Sequence, residues 1–313
     1  MKVLGLAGGV GGAKLMDGLA MLSPRPDLTV VVNTGDDFDH LGLRICPDLD
    51  TVMYTLAGLA NPETGWGPKD ESFQALETLR RLGAPTWFRL GDRDLGLHLE
   101  RTRRLMQGER LTEVTRSICE SLGVGPSVLP MTDDTVATKV QTPEGELDFQ
   151  DYFVRLACRP VVTGFRFDGI EEATASSEAL TALDHAEVVI FGPSNPFVSI
   201  APILGLAGVS ERVAARPAVA VSPIVGGQAI KGPAAKMLVE LGLEASPVAV
   251  AKRYAGVIGG FVLDTQDRAS APDIEALGLR VLVTDTVMHS SRDRARLAQE
   301  TLNFVRTLTP VSG

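Results

Sequence analysis

The 313-residue sequence lacks the cysteine and histidine patterns that mark disulfide frameworks and structural zinc sites. Its three cysteines stand far apart with no CxxC pair, and its four histidines show no HxH or HxxxH spacing. A zinc enzyme and a disulfide-rich fold are therefore disfavoured. We expect all three cysteines to be structural thiols.

The sequence also lacks an excess of positive charge and any long apolar run. Its formal net charge is −9, whereas general nucleic-acid binders present a basic surface. No stretch approaches the ~18 apolar residues of a membrane span, and the start MKVLGLAGGVGG is too short and glycine-rich for a signal peptide. We therefore expect a cytoplasmic protein with neither a nucleic-acid nor a membrane partner.

Short runs of Val, Ile and Leu recur along the chain and predict a parallel β-sheet covered by helices on both faces. Aromatic residues make up only 5% of the sequence, which disfavours an antiparallel sandwich. The first two runs, the glycine stretch between them and a helix over 13–22 predict a βαβ unit. The predicted strands are KVLGLA (2–7), LTVVVN (28–33), EVVIFG (187–192), AVAVS (218–222), GGFVLD (259–264) and LRVLVT (279–284).

The middle of the chain has a different pattern. Two amphipathic stretches, DESFQALETLRRLG and LTEVTRSICESLG, precede two alternating runs that PEG (143–145) divides as a hairpin would. We therefore predict an α/β fold with a Rossmann-like three-layer parallel sheet, formed as a single domain over 1–313. Its nucleotide-binding core comprises about 1–60 and 185–313, and an inserted helical and hairpin subdomain comprises about 61–184.

The glycine-rich stretch LAGGVGGAKL follows the first predicted strand and suggests contact with a phosphate. A dinucleotide-binding motif requires G-x-G-x-x-G, and a Walker A loop requires Ser or Thr after its lysine; here leucine follows. Backbone N–H groups, a helix N-terminus and a lysine can still face an anion. The candidate anion-binding residues are Gly9, Gly11, Gly12 and Lys14, with a plain βα turn as the alternative.

Acidic residues are dense after the second predicted strand, in NTGDDFDHLGLRICPDLDT. Carboxylates this close repel one another unless they are solvated, cap a helix or bind a cation. Mg²⁺ held by one or two carboxylates and by phosphate oxygens suits such a segment. We predict that Asp36, Asp48 and Asp50 bind the metal or orient an attacking hydroxyl. Capping of a helix that begins near Thr51 is the alternative explanation for the last two.

Two further strand ends carry residues suited to anions. GPSNP holds Ser194 and Asn195 between two prolines in a rigid turn, and SPIVGGQAIKGPAAK offers Ser222 and Gly226. In open parallel sheets, ligands bind beyond the carboxyl ends of the strands. These four residues are therefore candidates for binding a diphosphate or a nucleotide, with plain turns as the alternative.

The segment WFRLGDRDLGLH offers Arg89 and Asp92, although mixed charge alone is typical of a solvated surface. No nucleophile elbow or Cys/His order is present, which disfavours a covalent intermediate. Direct transfer, in which an acceptor hydroxyl attacks a phosphoanhydride in line, needs mainly positioning and charge. Asp48 and Asp50 are the predicted catalytic residues for such a step, since an ordinary aspartate orients a hydroxyl better than it removes its proton.

Together these motifs resemble the 2-phospho-L-lactate transferase family of coenzyme F420 biosynthesis, known as the CofD or FbiA family. The resemblance extends over nearly the whole chain, and many short motifs in one order are more specific than any single loop. The motifs, in the family's order, are AGGVGGAKL, VVNTGDDF, CPDLDTVMYTL, GWG, LGDRD, LPMTDD, DFQDYFV, GPSNP, SPIVGG, KGPAAK and DTVM.

The resemblance implies a Mg²⁺-dependent transferase. It would move a phospho-C3-acid group, 2-phospholactyl or enolpyruvyl phosphate, from a guanosine diphosphate conjugate to the ribityl hydroxyl of the deazaflavin Fo, with release of GMP. It further implies that Asp50, Arg89 and Asp92 contact Fo. The glycine stretch, Ser194, Asn195 and SPIVGG would bind the donor. A homodimer is the default expectation for such an enzyme.

Two alternatives stay open at this point. A non-catalytic nucleotide-sugar-binding regulator of the gluconeogenesis-factor type would share the glycine stretch and the acidic segment, but we expect PGD in it where this chain has PDLDT. A nucleoside-triphosphate-dependent kinase is weaker, because the Walker match fails. The sequence does not distinguish a donor derived from phospholactate, phosphoenolpyruvate or phosphoglycerate.

Overall fold

The computed structural model describes residues 1–311, which form a mixture of strands and helices. The strands are β1 (Lys2–Ala7), β2 (Asp27–Val32), β3 (Phe38–His40), β4 (Leu43–Ile45), β5 (Ser127–Pro130), β6 (Ala137–Thr142), β7 (Gly145–Asp148), β8 (Gly164–Asp168), β9 (Val188–Phe191), β10 (Ala218–Val221), β11 (Ile224–Val225), β12 (Gln228–Ala229), β13 (Gly260–Asp264) and β14 (Arg280–Thr284).

Helices connect these strands. The α-helices are α1 (Gly9–Ala20), α2 (Pro47–Leu56), α3 (Gln74–Arg81), α4 (Asp92–Met106), α5 (Leu111–Ser121), α6 (Ser177–His185), α7 (Ala201–Gly205), α8 (Val209–Ala214), α9 (Ala234–Glu240), α10 (Pro247–Tyr254), α11 (Ala271–Glu275) and α12 (Ser291–Val305). Shorter helical turns cover Asp151–Arg155, Pro196–Ile200 and Thr265–Ser270. Among the described residues, no helix combines the length and the apolar character that crossing a membrane requires.

The central sheet has seven strands in the order β14-β13-β10-β9-β1-β2-β5, and neighbouring strands pair in parallel. Six of these strands are the six apolar runs, so the predicted parallel α/β sheet is confirmed. Leu6 of β1 lies opposite Val31 of β2 on one side and Phe191 of β9 on the other. The chain builds outward from β1 in both directions, so the strand order reverses between β1 and β9. A ligand crevice is expected at the carboxyl ends of these two strands.

Helices cover both faces of the sheet, because successive strand residues point to opposite sides. Val30 of β2 packs in one hydrophobic core and Val31 in the other. The core around Val30 includes residues of α1, α2, α5 and α12, and the core around Val31 includes residues of α6, α8, α9 and α10. The predicted three-layer arrangement is confirmed.

Helix α1 begins at Gly9, four residues before the predicted start. Most of the glycine stretch therefore forms the first turns of a helix, and the prediction of a glycine loop is corrected. Gly9 adopts a φ of +64°, a conformation that favours glycine. A Cβ on Gly11 would lie 2.5 Å from the carbonyl oxygen of Pro193. The glycines thus allow the N-terminus of α1 to approach the segment that follows β9.

The middle of the chain forms the predicted helices and hairpin but also joins the central sheet. The turn at PEG is confirmed by antiparallel pairing of Thr142 with Gly145, and β8 adds a third strand to this hairpin. However, β5 pairs with β2 at the edge of the central sheet. The segment 61–184 is therefore only partly separate from the sheet. Strand β5 has only two consecutive aliphatic residues, Val128 and Leu129, between a serine and a proline, which is too short an apolar run for the sequence pattern to reveal.

The contact between α1 and α12 depends on Gly18, where a Cβ would overlap the backbone carbonyl of Arg294. Gly18→Ala is expected to lower the free energy of unfolding by about 1–3 kcal/mol, because the two helices must move apart. Gly96→Ala is the matched control, since a Cβ there meets nothing within 4 Å. It should raise the free energy of unfolding by about 0.5–1 kcal/mol through helix propensity. Urea denaturation checks both values, and stabilisation by both substitutions would contradict the proposed helix contact.

Candidate active site

A cavity of about 640 Å³ lies at the carboxyl ends of the central strands. Its wall includes the residues that follow β1 and β9, where the strand order reverses, together with parts of α2, α4 and the segment 149–154. The sequence-predicted residues that line it are Gly9, Gly11, Lys14, Asp36, Asp48, Asp50, Arg89, Ser194, Asn195 and Ser222.

Ser194 joins the segment after β9 to the turn after β1. Its hydroxyl donates to the carbonyl oxygen of Gly8 at 2.9 Å and accepts from the N–H of Gly8 at 3.1 Å. Asn195 begins the next helical turn, since its side-chain oxygen accepts from the N–H of Phe197 at 2.9 Å. These hydrogen bonds hold the two segments together as one wall of the cavity.

Two lysines line the cavity from different parts of the chain. Lys14 Nζ donates to the carbonyl oxygen of Met288 at 2.9 Å, and Lys231 Nζ donates to that of Thr64 at 2.7 Å. Burial lowers the pKa of Lys14, and the charges of Arg294 and Lys231 lower it further. Cations held this close to one another favour an anionic ligand in this part of the cavity.

Asp48 places its carboxylate against the N-terminus of α1. Oδ1 accepts from the N–H of Gly9 at 2.6 Å, and Oδ2 accepts from the side-chain amide of Asn33 at 2.9 Å. Burial raises the pKa of Asp48 to about 6, although both hydrogen bonds oppose the shift. The Gly9 amide that the sequence assigns to a phosphate is thus bound by a carboxylate. The next residues of α1 that line the cavity are Val10 and Gly11.

Asp36 is a second buried carboxylate of the cavity, and it has an unsatisfied oxygen. Within residues 1–311, its Oδ1 has no hydrogen-bond partner. Burial raises the pKa of Asp36 well above its usual range, and the charges of Asp48 and Asp37 raise it further. Two buried carboxylates, one with a free oxygen, suit a divalent cation whose remaining ligands are phosphate oxygens of a substrate.

Asp50, which is also predicted as a metal ligand, takes part in an ion pair. Both of its carboxylate oxygens bind the guanidinium of Arg101, with Oδ2 at 3.1 Å from Nη1. Arg101 is fully buried. In the part of the chain that the structure describes, no three His, Cys, Asp or Glu side chains are grouped as a metal centre. The metal role of Asp36, Asp48 and Asp50 thus stays a prediction, and Asp50 differs from the other two in being paired with an arginine.

Three residues that the sequence analysis missed continue from this ion pair. His98 Nδ1 lies 3.3 Å from Arg101 Nη1, and His98 Nε2 lies 3.3 Å from Oδ2 of Asp94. The hydroxyl of Tyr54 donates to Oδ1 of Asp94 at 2.8 Å. Asp94, His98 and Tyr54 all line the cavity. The i, i+4 spacing of Asp94 and His98 in a predicted helix is the signal that could have identified them.

Aromatic side chains, which the sequence analysis also missed, form another part of the wall. The rings of Phe149 and Phe153 stack with centroids 5.5 Å apart and planes within 8°. Trp87 and Phe88 meet edge to face at 5.8 Å. All four line the cavity, although aromatic residues are scarce in the chain as a whole. Such a wall suits a ligand with a flat aromatic ring.

Arg89 lines the cavity, and its guanidinium lies 4.6 Å from the ring centroid of Phe73. Asp92, predicted beside it as a contact to the acceptor, does not line the cavity. Its carboxylate accepts from the hydroxyl of Ser72 at 2.5 Å and from two amides at the start of α3 at 3.0 Å. Asp92 therefore connects α3 to α4, and its contact to the acceptor stays a prediction that these hydrogen bonds do not favour.

Gly12 and Gly226 also lie outside the cavity lining, contrary to prediction. A Cβ on Gly12 would lie 2.5 Å from the hydroxyl of Ser194, so this glycine is required for packing. The N–H of Gly226 donates to the carboxylate of Asp267 at 3.0 Å. Ser222 does line the cavity, but its hydroxyl donates within the turn that leads into β11, at 2.8 Å. Gly12 thus allows close packing, whereas Gly226 and Ser222 form hydrogen bonds within the protein.

Comparison with known proteins identifies the family of this chain. The family model described as 2-phospho-L-lactate transferase CofD matches residues 3–302. The chain belongs to the CofD family. It is 41% identical over 312 residues to a phosphoenolpyruvate transferase of Streptomyces griseus, covering 97% of this chain and 98% of that protein. It is also 41% identical over 312 residues to a 2-phospho-L-lactate transferase of Methanopyrus kandleri, covering 98% of this chain and 99% of that protein. The resemblance found in the sequence is confirmed.

The fold of this CofD family member also occurs in a more distant protein. A crystal structure of a Bacillus halodurans protein of the upf0052 family superposes with a TM-score of 0.64. The two chains are 15% identical, and the likeness covers 96% of this chain and 98% of the other. At this identity the likeness concerns the fold alone.

Asp37 is buried next to the CofD cavity without lining it, and neither carboxylate oxygen has a hydrogen-bond partner within residues 1–311. Burial raises the pKa of Asp37 from 3.8 to about 7, against the opposing charge of Arg44. The folded protein therefore holds a proton that the unfolded chain releases. Stability conferred by this group is lost as the pH rises from about 4 through about 7.

Asp37→Asn should remove this dependence on pH. In EDTA at pH 8, the variant is expected to be more stable than the wild type by about 1.4 kcal/mol for each unit of the pKa shift. Near pH 3 the difference should nearly vanish, because the group is then protonated in the folded state and mostly so in the unfolded state. Urea denaturation at both pH values measures this, with the exposed Asp39→Asn as control. A wild type that is at least as stable as Asp37→Asn at pH 8 would contradict the explanation.

Proposed function

We propose that the protein transfers a phospho-C3-acid group from a guanosine diphosphate conjugate to the ribityl hydroxyl of the deazaflavin Fo, releasing GMP, in coenzyme F420 biosynthesis. The observation that carries this proposal is a single cavity whose wall combines cationic, glycine-rich strand ends, buried carboxylates and stacked aromatic rings. A nucleoside diphosphate conjugate and a flat aromatic acceptor require these chemistries. Membership of the CofD family, with relatives named phosphoenolpyruvate transferase and 2-phospho-L-lactate transferase, supports it.

The donor's phosphates are assigned to the wall around the N-terminus of α1. A helix N-terminus offers unpaired backbone N–H groups and a positive dipole end, and both attract phosphate. Val10 and Gly11 provide the helix end, and Lys14 and Lys231 provide the positive charge. The hydrogen bonds of Ser194 to the turn after β1 keep this part of the wall in place.

The acceptor is assigned to the aromatic wall, with its ring against Phe149 and Phe153 and its polar edge toward Arg89. Asp50 then accepts a hydrogen bond from the attacking hydroxyl. Because Arg101 balances its charge, Asp50 orients this hydroxyl rather than acting as a free base. Oriented approach of the reacting groups is the main contribution a protein makes to phosphoryl-type transfer.

The reaction exchanges one bond at phosphorus for another. The ribityl oxygen forms a bond to the phosphorus that carries the C3 acid, and the bond from this phosphorus to the bridging oxygen breaks. The hydroxyl loses its proton, and the bridging oxygen leaves as part of the GMP phosphate. No covalent intermediate on the protein is needed.

Mg²⁺ fits the residues that are present. Asp36 and Asp48 would hold it, because they are the buried carboxylates of the cavity that no arginine neutralises, and Asp36 has a free oxygen. When bound, the ion would neutralise charge on the diphosphate as the leaving group departs. The assignment to two carboxylates agrees with the preference of Mg²⁺ for few protein ligands and for phosphate oxygens.

The purified protein with Mg²⁺, Fo and a guanylylated donor is expected to release GMP and to form a new phosphodiester, and EDTA should abolish both. Nucleotide chromatography and mass spectrometry measure the two products. Competition among donors derived from phospholactate, phosphoenolpyruvate and phosphoglycerate identifies the C3 unit. Absence of GMP with all three donors would refute the proposal. In that case, tight binding of a nucleotide sugar without turnover would support the regulator of the gluconeogenesis-factor type.

Asp48→Asn should lower the transfer rate by about 100-fold or more, because it removes the charge that we assign to the metal while keeping the size of the side chain. Increasing the Mg²⁺ concentration should restore part of the rate. Asp39→Asn changes an exposed aspartate of the same segment and should leave the rate within twofold of the wild type. An Asp48→Asn variant with wild-type turnover at low Mg²⁺ would remove Asp48 from the metal site.

A further inference from the structure

A chain of polar side chains leads from Asp50, through an arginine that does not line the cavity, to three other residues of the cavity wall. It runs from Asp50 to Arg101, then to His98, Asp94 and Tyr54. Arg101 has no exposed surface, and His98 is 1% exposed. Burying this many polar groups is costly unless each one is paired in good geometry. We therefore expect these side chains to have a role, and the place to look for it is the cavity that four of them line.

The direction of each hydrogen bond in this chain follows from its members. A guanidinium only donates, so Arg101 Nη1 donates to Nδ1 of His98 across 3.3 Å. The ring proton of His98 is then on Nε2, which faces Oδ2 of Asp94 at 3.3 Å. Asp94 also accepts from the hydroxyl of Tyr54 at 2.8 Å. The contact between His98 Nε2 and Asp94 lies outside hydrogen-bond geometry, and within residues 1–311 the Nε of Arg101 has no partner.

This cluster contains more carboxylates than are needed to neutralise the buried Arg101. One carboxylate, Asp50, already neutralises Arg101 through both of its oxygens. Asp94 adds a second carboxylate. Although burial raises the pKa of Asp94, the neighbouring His98 ring and the hydroxyl of Tyr54 hold this pKa below its usual range. Asp94 anchors the far side of the His98 ring. The ring in turn meets the same nitrogen, Nη1, that binds Oδ2 of Asp50.

We propose that His98 and Asp94 are positioning residues, which fix the Arg101 guanidinium and through it the orientation of the Asp50 carboxylate toward the acceptor hydroxyl. This inference rests on the proposed function, since it presumes that Asp50 meets the hydroxyl. Planar two-point contact of the guanidinium sets the plane of the Asp50 carboxylate, and the contact to His98 sets the plane of the guanidinium. Neither His98 nor Asp94 is required to touch the reacting atoms.

Loss of a positioning residue should therefore change turnover without changing the affinity for the substrate. A carboxylate that rotates out of plane still lines the cavity, so binding of the acceptor ring is retained. The hydroxyl is no longer held in line, and a small misplacement of reacting groups costs about 10- to 100-fold in rate. Loss of His98 should therefore lower kcat and leave KM for Fo nearly unchanged.

The test compares two substitutions of similar size at one position. His98→Asn keeps an acceptor near the place of Nδ1 for Arg101, whereas His98→Leu offers none. We expect His98→Leu to lower kcat by about 10- to 100-fold and His98→Asn to recover most of this loss, with KM for Fo within threefold of the wild type in both. Asp94→Asn should lower kcat in the same range. Leu99→Ala, the exposed neighbour of His98 on α4, is the control and should leave kcat unchanged.

Thermal unfolding of each variant accompanies the kinetics, so that a loss of folded protein is counted separately. If His98→Leu does not fold, His98→Asn and Asp94→Asn decide the matter. A His98→Leu kcat equal to that of Leu99→Ala, an equal loss in the Asn and Leu variants, or a rise in KM with unchanged kcat would overturn the positioning role. A wild type that makes no product would instead refute the proposed function, so the two failures are distinguishable.

Discussion

The hydrogen bond from the Gly9 amide to the Asp48 carboxylate is the interaction on which the site depends. It joins the start of α1 to the first turn of α2, and the contact of Asp48 with Asn33 adds the end of β2. Gly8 makes room for it, because a Cβ there would lie 2.5 Å from Oδ2 of Asp48. The N-terminus of α1 therefore binds an anionic group of the protein itself, the carboxylate of Asp48. A ligand phosphate bound as we propose would lie beside this carboxylate, and Lys14, Lys231 and the proposed cation would offset the repulsion between them.

Buried negative charge is the second constraint, and it follows from the first. Asp36, Asp37, Asp48 and Asp50 are each less than 8% exposed, and Arg101 neutralises only the last of them directly. Burial raises the pKa of the other three, so the folded protein carries an electrostatic strain at neutral pH. Binding of the proposed Mg²⁺ would relieve this strain and would stabilise the folded state. The proposal therefore couples stability to function through the same acidic segment.

Much of this arrangement could be predicted from the sequence, because strand ends are local features. Six apolar runs identify six of the seven central strands, and the residues that follow them include most of the cavity's polar lining. The sequence misplaced the start of α1, since glycine is normally unfavourable in a helix and only the close approach to Pro193 explains it. It missed Arg101, because a partner 51 positions from Asp50 leaves no local pattern. Asp92 was assigned to the acceptor because the sequence around it resembles a binding site. In the structure its carboxylate accepts hydrogen bonds from the first amides of α3.

We propose that one cavity holds a nucleoside diphosphate and a deazaflavin together, with the buried aspartates between the two ligands. A crystal structure of the protein with GDP, Mg²⁺ and Fo tests this most directly. We expect phosphates at the N-terminus of α1 near Lys14 and the metal on Asp36 and Asp48. The ring of Fo should lie on Phe149 and Phe153, with its ribityl hydroxyl next to Asp50. Binding of Fo outside this cavity, or of both ligands to the same part of it in exclusion of each other, would contradict the account.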